Sequence, residues 1–198
     1  IHPDQSAEIA AQNSREYLDV IAQQLSYEKA MALGEIGLDY YYDDDAPRDI
    51  QKKIFEEQLA LANSLNLPVI VHDRDAHADT LELLKKHRPK GVVHSFSGSA
   101  EMAKEILNLG MYIGIGGVLT FKNAKKLPEV AAWVPEDRFM IETDSPYLLP
   151  YPRVKGEKRN DSSKLPRIAA KIAALRGLTE AEVEHLTTEN GKAFFRLP

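Results

Sequence analysis

A chain of 198 residues, 43% apolar and 28% charged with a formal net charge of −5, is long enough for one domain with a substantial core. The acidic balance excludes a broad electrostatic grip on nucleic acid. No apolar run approaches the roughly 18 residues of a membrane span, and no signal-peptide pattern is present. With no Cys, disulfides and thiolate metal sites are excluded, so any bound metal must use His and carboxylates; a cytoplasmic setting is the default expectation.

Ile1-His2-Pro3 reads as the tail of a strand, so the chain is expected to begin in mid-domain. Residues 7–25 place Ile9, Tyr17, Leu18, Ile21 and Leu25 on one helical face. A first strand is predicted over 30–36 and a loop over 40–45. A helix led by Pro47 then runs to about residue 66. Further strands are predicted over 68–72, 91–94, 111–115 and 139–141, with helices over 76–87, 100–109 and 124–133 between them. After a basic loop come helices over 165–176 and 180–188 and a short tail through Phe194 and Phe195; Trp133 reads as core. Strand–helix alternation without hairpin signals predicts an α/β fold with a parallel sheet, either a (β/α)₈ TIM barrel or an open doubly wound sheet. Such a barrel needs eight strands and typically about 250 residues. If it is a barrel, two to three strands are missing ahead of Ile1.

In parallel α/β folds chemistry gathers at the carboxyl ends of strands. Here the first strand carries Glu35, the second ends in His72, the third in His94 and the fifth runs into Asp144. One such residue is commonly a satisfied core imidazole or a helix cap. Four together point to a divalent-metal site, which on these donors alone is open to Zn²⁺, Mn²⁺ or Mg²⁺. Asp144 could both bind metal and take a proton from water. Glu142, two residues earlier, reads as support behind it. Gly114-Ile-Gly-Gly117 is not a dinucleotide fingerprint, because no third glycine or helix start follows at the required spacing. His77, His87 and His185 read as helix-surface residues, and His2 as pocket lining rather than a ligand. Residues 151–176 carry eight Lys or Arg against Glu157 and Asp161, either a solvated face or a phosphate-facing one.

Several segments carry a family resemblance: Gly34-Glu-Ile-Gly-Leu-Asp-Tyr40, Val71-His-Asp-Arg-Asp-Ala76, Val93-His-Ser-Phe-Ser-Gly98, Glu142-Thr-Asp-Ser-Pro-Tyr-Leu148 and Lys158-Arg-Asn160. In this order they resemble the successive signatures of the TatD family, metal-dependent deoxyribonucleases among the amidohydrolase-like barrels. Ile1-His-Pro3, Gly117-Val-Leu-Thr-Phe-Lys122 and Thr188-Glu-Asn190 extend the match along essentially the whole chain. The resemblance implies a single TatD-like domain over 1–198, a (β/α)₈ barrel and two divalent ions (Mg, Mn or Zn). Glu35 would bridge them, His72 and His94 would bind one, and Asp144 the other, with Asp144 and Glu35 as catalytic residues. The family's first-strand His-x-His has no counterpart here, which implies either about 60 further residues upstream, by the usual barrel length, or a fragment lacking part of one metal site.

Around the metals, Arg74 could pair with a phosphate as a planar fork or with Asp73 or Asp75. Ser95, Ser97 and Gly98 could offer N–H groups to a phosphate or merely cap a helix. Lys122, Arg159 and Asn160 are further candidate phosphate contacts. Tyr40, Tyr41 and Tyr42 could stack on bases or pack their own loop. The expected activity is hydrolysis of phosphodiester bonds, with DNA single strands or strand ends as substrate, as by a 3'-5' exonuclease-type DNase. Two alternatives stand beside it: an ester or amide hydrolase such as a D-aminoacyl-tRNA deacylase, and a binding protein that has lost a metal site. No membrane and no obligate protein partner are implied.

Overall fold

The computed structural model describes residues 1–12, 15–42 and 46–198. Residues 43–45 of the expected tyrosine–aspartate loop lie outside the described residues. Two compact units make up the chain, residues 1–93 with 109–111, and residues 94–108 with 112–198.

In the first unit, a single 3₁₀ turn, Pro3–Gln5, takes the place of the expected strand tail. Pro3 fixes its own backbone angle and is buried, which suits a helical turn better than a ladder position. The helix expected over 7–25 is two helices, α1 (Ser6–Ala11) and α2 (Glu16–Leu25). Strand β1 (Leu33–Asp39) pairs in parallel with β2 (Val69–Arg74), and β2 with β3 (Gly91–Val93). Helices α3 (Arg48–Ser64) and α4 (His77–His87) are the intervening crossovers. Helix α3 forms because Ile54, Phe55, Leu59 and Ala62 make one fully buried stripe. It stops where Asn66 turns left-handed and the Leu67 N–H donates back to Ala62 O at 3.0 Å.

The β1–β2 register sets Gly37 beside His72 and Asp39 beside Arg74. Residues two apart on a strand share a face, so His72 and Arg74 point the same way. Ile36 and Leu38, of opposite parity, are fully buried. Gly37 is required where it stands: φ is +152° and a Cβ would lie 1.9 Å from the His72 carbonyl oxygen. Strand β1 runs three residues further than expected, so Glu35 lies within the strand and Asp39 takes its end.

In the second unit, α5 (Ala100–Asn108) precedes β4 (Tyr112–Ile115), and α6 (Lys126–Trp133) leads to β5 (Phe139–Ile141), which pairs with β4 in parallel. Ile113, Ile115, Leu119, Phe139, Ile168 and Ile172 are fully buried. Trp133, expected in the core, is only half-buried, with Lys104 5.8 Å from its ring. Helix α7 (Leu165–Arg176) ends at Gly177, whose φ of +69° suits a residue without Cβ. Helix α8 (Glu180–Phe195) opens on a Thr179–Glu182 capping box and continues through Phe194 and Phe195, where a tail was expected. The helix buries Val183, Thr187 and Phe194 on one face, the last of them within the extension. Asn190, also buried on α8, donates to Glu136 O at 2.7 Å and Phe139 O at 2.8 Å, tying the helix to the start of β5. Among the described residues no helix is long and apolar enough to cross a membrane.

Candidate metal centre

In the first unit the imidazoles of His2 and His72 and the carboxylate of Glu35 offer ligand atoms within 4.8 Å of one another. Opposite ligands around a cation with bonds of about 2.0–2.5 Å lie about 4–5 Å apart, so a spread of up to 4.8 Å falls at the upper end of that range. The two imidazole centroids lie 4.6 Å apart, edge to face, and His72 Nδ1 is 3.8 Å from Glu35 Oε2. His2 is held from outside the cluster. Gln58 on α3 donates to the preceding carbonyl of Ile1 at 3.1 Å, and Gln5 N–H donates to the His2 carbonyl at 3.0 Å.

Each imidazole has its own carboxylate. Asp4 Oδ1 lies 2.8 Å from His2 Nδ1, and Asp39 Oδ2 lies 3.1 Å from His72 Nε2. An ionised carboxylate only accepts, so a neutral ring facing one would carry its proton on His2 Nδ1, which the Asp4 N–H also approaches at 3.5 Å, and on His72 Nε2. In that tautomer the lone pairs would be on His2 Nε2 and His72 Nδ1. Carboxylates that orient imidazoles in this way are the usual outer partners of metal-binding histidines. Asp39 is itself clamped. Gln51, 1% exposed, accepts from Asp39 N–H at 2.9 Å and donates to Asp39 O and Ala46 O, each at 2.8 Å.

The second unit repeats the pattern. His94, immediately after β3, has Nδ1 3.2 Å from Glu142 Oε1, and Glu142 also accepts the Ser95 N–H. Glu142 is thus the partner of His94, close to the supporting part expected of it. Asp144 lies three residues beyond β5 rather than on it, half-buried, in a loop where it adopts φ +57°; Ser95 adopts φ +43°. Left-handed backbone at non-glycine residues is uncommon and gathers at functional sites. Asn160 is buried, with its amide nitrogen 2.5 Å from Thr143 O and its own N–H on Pro146 O at 3.1 Å. It secures the Asp144 loop, and an amide committed to backbone carbonyls is not offered outward as the expected phosphate contact requires.

The remaining candidates divide. Arg74 lies over the Tyr41 ring at 3.8 Å and, among the described residues, pairs with no carboxylate. Asp73 instead engages His77 Nδ1 at 2.7 Å, so His77 is not the plain surface residue expected; His87 likewise meets Glu56 at 3.0 Å. The Ser95 N–H is taken by Glu142 and the Phe96 N–H by Gly114 O, and it is Ser99 whose hydroxyl caps α5, at 3.3 Å from Met102 N. Ser97, Lys122 and Arg159 are exposed. Much of the basic stretch is spent internally. Arg167 grips Glu157 with two bonds of 2.8 Å, Lys164 reaches Glu157 at 3.4 Å, and Arg176 donates to Val134 O at 2.7 Å. The Arg167 fork and the Val154 N–H hold the Glu157 carboxyl down at about 2.

Sequence reasoning missed Asp4, Asp39 and the place of His2 beside Glu35 and His72. Asp39 had a readable signal, since it is two residues beyond Gly37 at the end of a strand that already carries Glu35. His2 had none, because what brings it to Glu35 and His72 is the fold of the first unit.

A family model described as TatD related DNase matches residues 1–196. The chain is 45% identical over 187 residues to the uncharacterized metal-dependent hydrolase YabD of Bacillus subtilis, covering 93% of this chain and 72% of that protein. It is 41% identical over 173 residues to the uncharacterized metal-dependent hydrolase YcfH of Escherichia coli K12, covering 86% and 64%. To the 3'-5' ssDNA/RNA exonuclease TatD of Klebsiella pneumoniae it is 39% identical over 174 residues, covering 84% and 65%. The crystal structure of the TatD homologue YJJV of Escherichia coli K12 superposes with a TM-score of 0.88 at 33% identity, over all of this chain and 75% of that one.

Proposed function

Because this chain belongs to the TatD related DNase family, a family of metal-dependent hydrolases, we propose that it hydrolyses phosphodiester bonds at the ends of single-stranded nucleic acid, as a 3'-5' exonuclease. The observation that carries this reading is the His2–Glu35–His72 cluster, each of whose imidazoles is oriented by a carboxylate of its own. Two imidazoles and a carboxylate suit Zn²⁺ or Mn²⁺ better than Mg²⁺, which prefers an all-oxygen shell. In the first unit Glu35, His72 and His2 would hold a cation; in the second, His94 and Asp144 are the ligand candidates. A divalent cation supplies Lewis acidity toward a phosphoryl oxygen and an acidified water. In this reading Asp144 would serve as a proton acceptor, Glu142 would keep the His94 ring in one tautomer, and Asp39 would do the same for His72. Arg74, Ser97, Lys122 and Arg159 are candidate contacts to the phosphodiester chain.

The test is hydrolysis by the purified protein, with Mn²⁺ or Zn²⁺, of a 5'-labelled single-stranded oligonucleotide and of a D-aminoacyl-tRNA. Stepwise shortening from the 3' end, lost in Glu35→Gln, is the expected result. Release of the amino acid with intact oligonucleotides would replace this reading with ester hydrolysis.

A further inference from the structure

The three consecutive tyrosines after β1 do not share one fate. The Tyr40 hydroxyl donates to Asp79 at 2.7 Å and Arg48 covers its ring at 4.3 Å; burial and that bond to Asp79 both raise its phenol above the ordinary value. Tyr40 is structural. Tyr41 and Tyr42 are 55% and 54% exposed, with rings at right angles and centroids 4.8 Å apart. Rings that merely packed their own loop would be buried. The Arg74 guanidinium lies 3.8 Å from the Tyr41 centroid and 4.9 Å from that of Tyr42.

This group is joined directly to the metal cluster. Asp39 accepts the Tyr41 N–H on Oδ1 at 2.9 Å and faces His72 Nε2 with Oδ2 at 3.1 Å. One buried carboxylate therefore fixes both the imidazole and the backbone that carries the first exposed ring. We propose that Tyr41 and Tyr42, backed by the Arg74 cation, form a stacking platform for an unpaired nucleobase of the substrate strand, which rests on the phosphodiesterase reading above. Aromatic rings accept the π-face of any base, and a guanidinium adds attraction for the strand.

The test is fluorescence anisotropy in EDTA, so that binding is read without hydrolysis. The probes are a labelled oligothymidylate of about eight nucleotides and an abasic strand of the same length and charge. Wild type is expected to prefer the base-bearing strand. Tyr41→Leu/Tyr42→Leu should weaken that binding by about 5- to 100-fold and leave the abasic strand unaffected, and Tyr41→Phe should retain it. Unchanged oligothymidylate affinity in the double variant overturns the proposal. So does equal wild-type affinity for the two strands, a comparison that needs no variant to fold. Mn²⁺-dependent hydrolysis of bis(p-nitrophenyl) phosphate is measured alongside. Its absence in wild type counts against the phosphodiesterase reading alone, leaving the strand comparison to judge the platform.

Discussion

Replacing Gln51 by Leu tests how the Asp39–His72 pair is held. The amide makes three bonds, from Asp39 N–H at 2.9 Å and to Asp39 O and Ala46 O at 2.8 Å, in surroundings where Gln51, Asp39 and Ala46 are 1%, 4% and 5% exposed. Each buried bond contributes about 1 kcal/mol net, and each backbone group left unpaired adds a desolvation cost of similar size. Leucine recovers part of this through its apolar surface, leaving a destabilisation of about 3–5 kcal/mol. That is a large share of a typical stability of about 5–15 kcal/mol, yet compatible with a folded variant. Urea unfolding should show a lower midpoint with an unchanged slope. Calorimetry of Zn²⁺ or Mn²⁺ binding should show weaker affinity, because Asp39 no longer holds the His72 ring. Gln51→Glu is the sharper control: it keeps the acceptor for Asp39 N–H but turns a second oxygen toward two carbonyls, and should be no better tolerated than Leu. A loss below about 1 kcal/mol in Gln51→Leu would refute the reasoning.

Asp39→Asn removes the carboxylate that orients His72 and is expected to lower affinity for Zn²⁺ or Mn²⁺ by about 10- to 100-fold, read by calorimetry. Gly37→Ala drives a methyl to 1.9 Å from the His72 carbonyl at φ +152° and should yield no folded protein, seen as loss of the soluble fraction and of the thermal transition. The Glu157–Arg167 pair makes a signed prediction with pH. The folded carboxyl is held at about 2, below its ordinary value of 4.5, so its stabilisation is present above pH 4.5 and is lost as pH falls toward 2. Glu157→Gln should therefore flatten that part of the stability–pH curve, measured by thermal melting between those limits.

The alternation of strands and helices was legible because apolar periodicity and turn residues act locally. Pro47 heads α3, and the FMI run of β5 was placed to the residue. The sequence also placed Glu35, His72, His94 and Asp144 on or just beyond β1, β2, β3 and β5. Boundaries slipped where packing overrode local signal: β1 continues to Asp39 because it pairs with β2 as far as Arg74, and α8 continues to Phe195 because Phe194 finds a buried place. The basic stretch over 151–176 was left open between two readings. Formal charge is visible in sequence, but the fork between Arg167 and Glu157, ten residues apart, forms only when the loop folds.

The amino-acid sequence by itself determined the fold class, the chemical character of the donors and the family, since each rests on residue type and spacing along the chain. Only the tertiary structure decided which donors meet. His2 reaches Glu35 and His72 across more than thirty residues. Asp39 must serve His72 and Tyr41 at once, and Tyr40 is spent on Asp79 while its two neighbours stay exposed. The physical reason is that hydrogen bonds and burial depend on distances in space. A strand's register fixes these for its neighbours, but nothing in the local pattern of the chain encodes them.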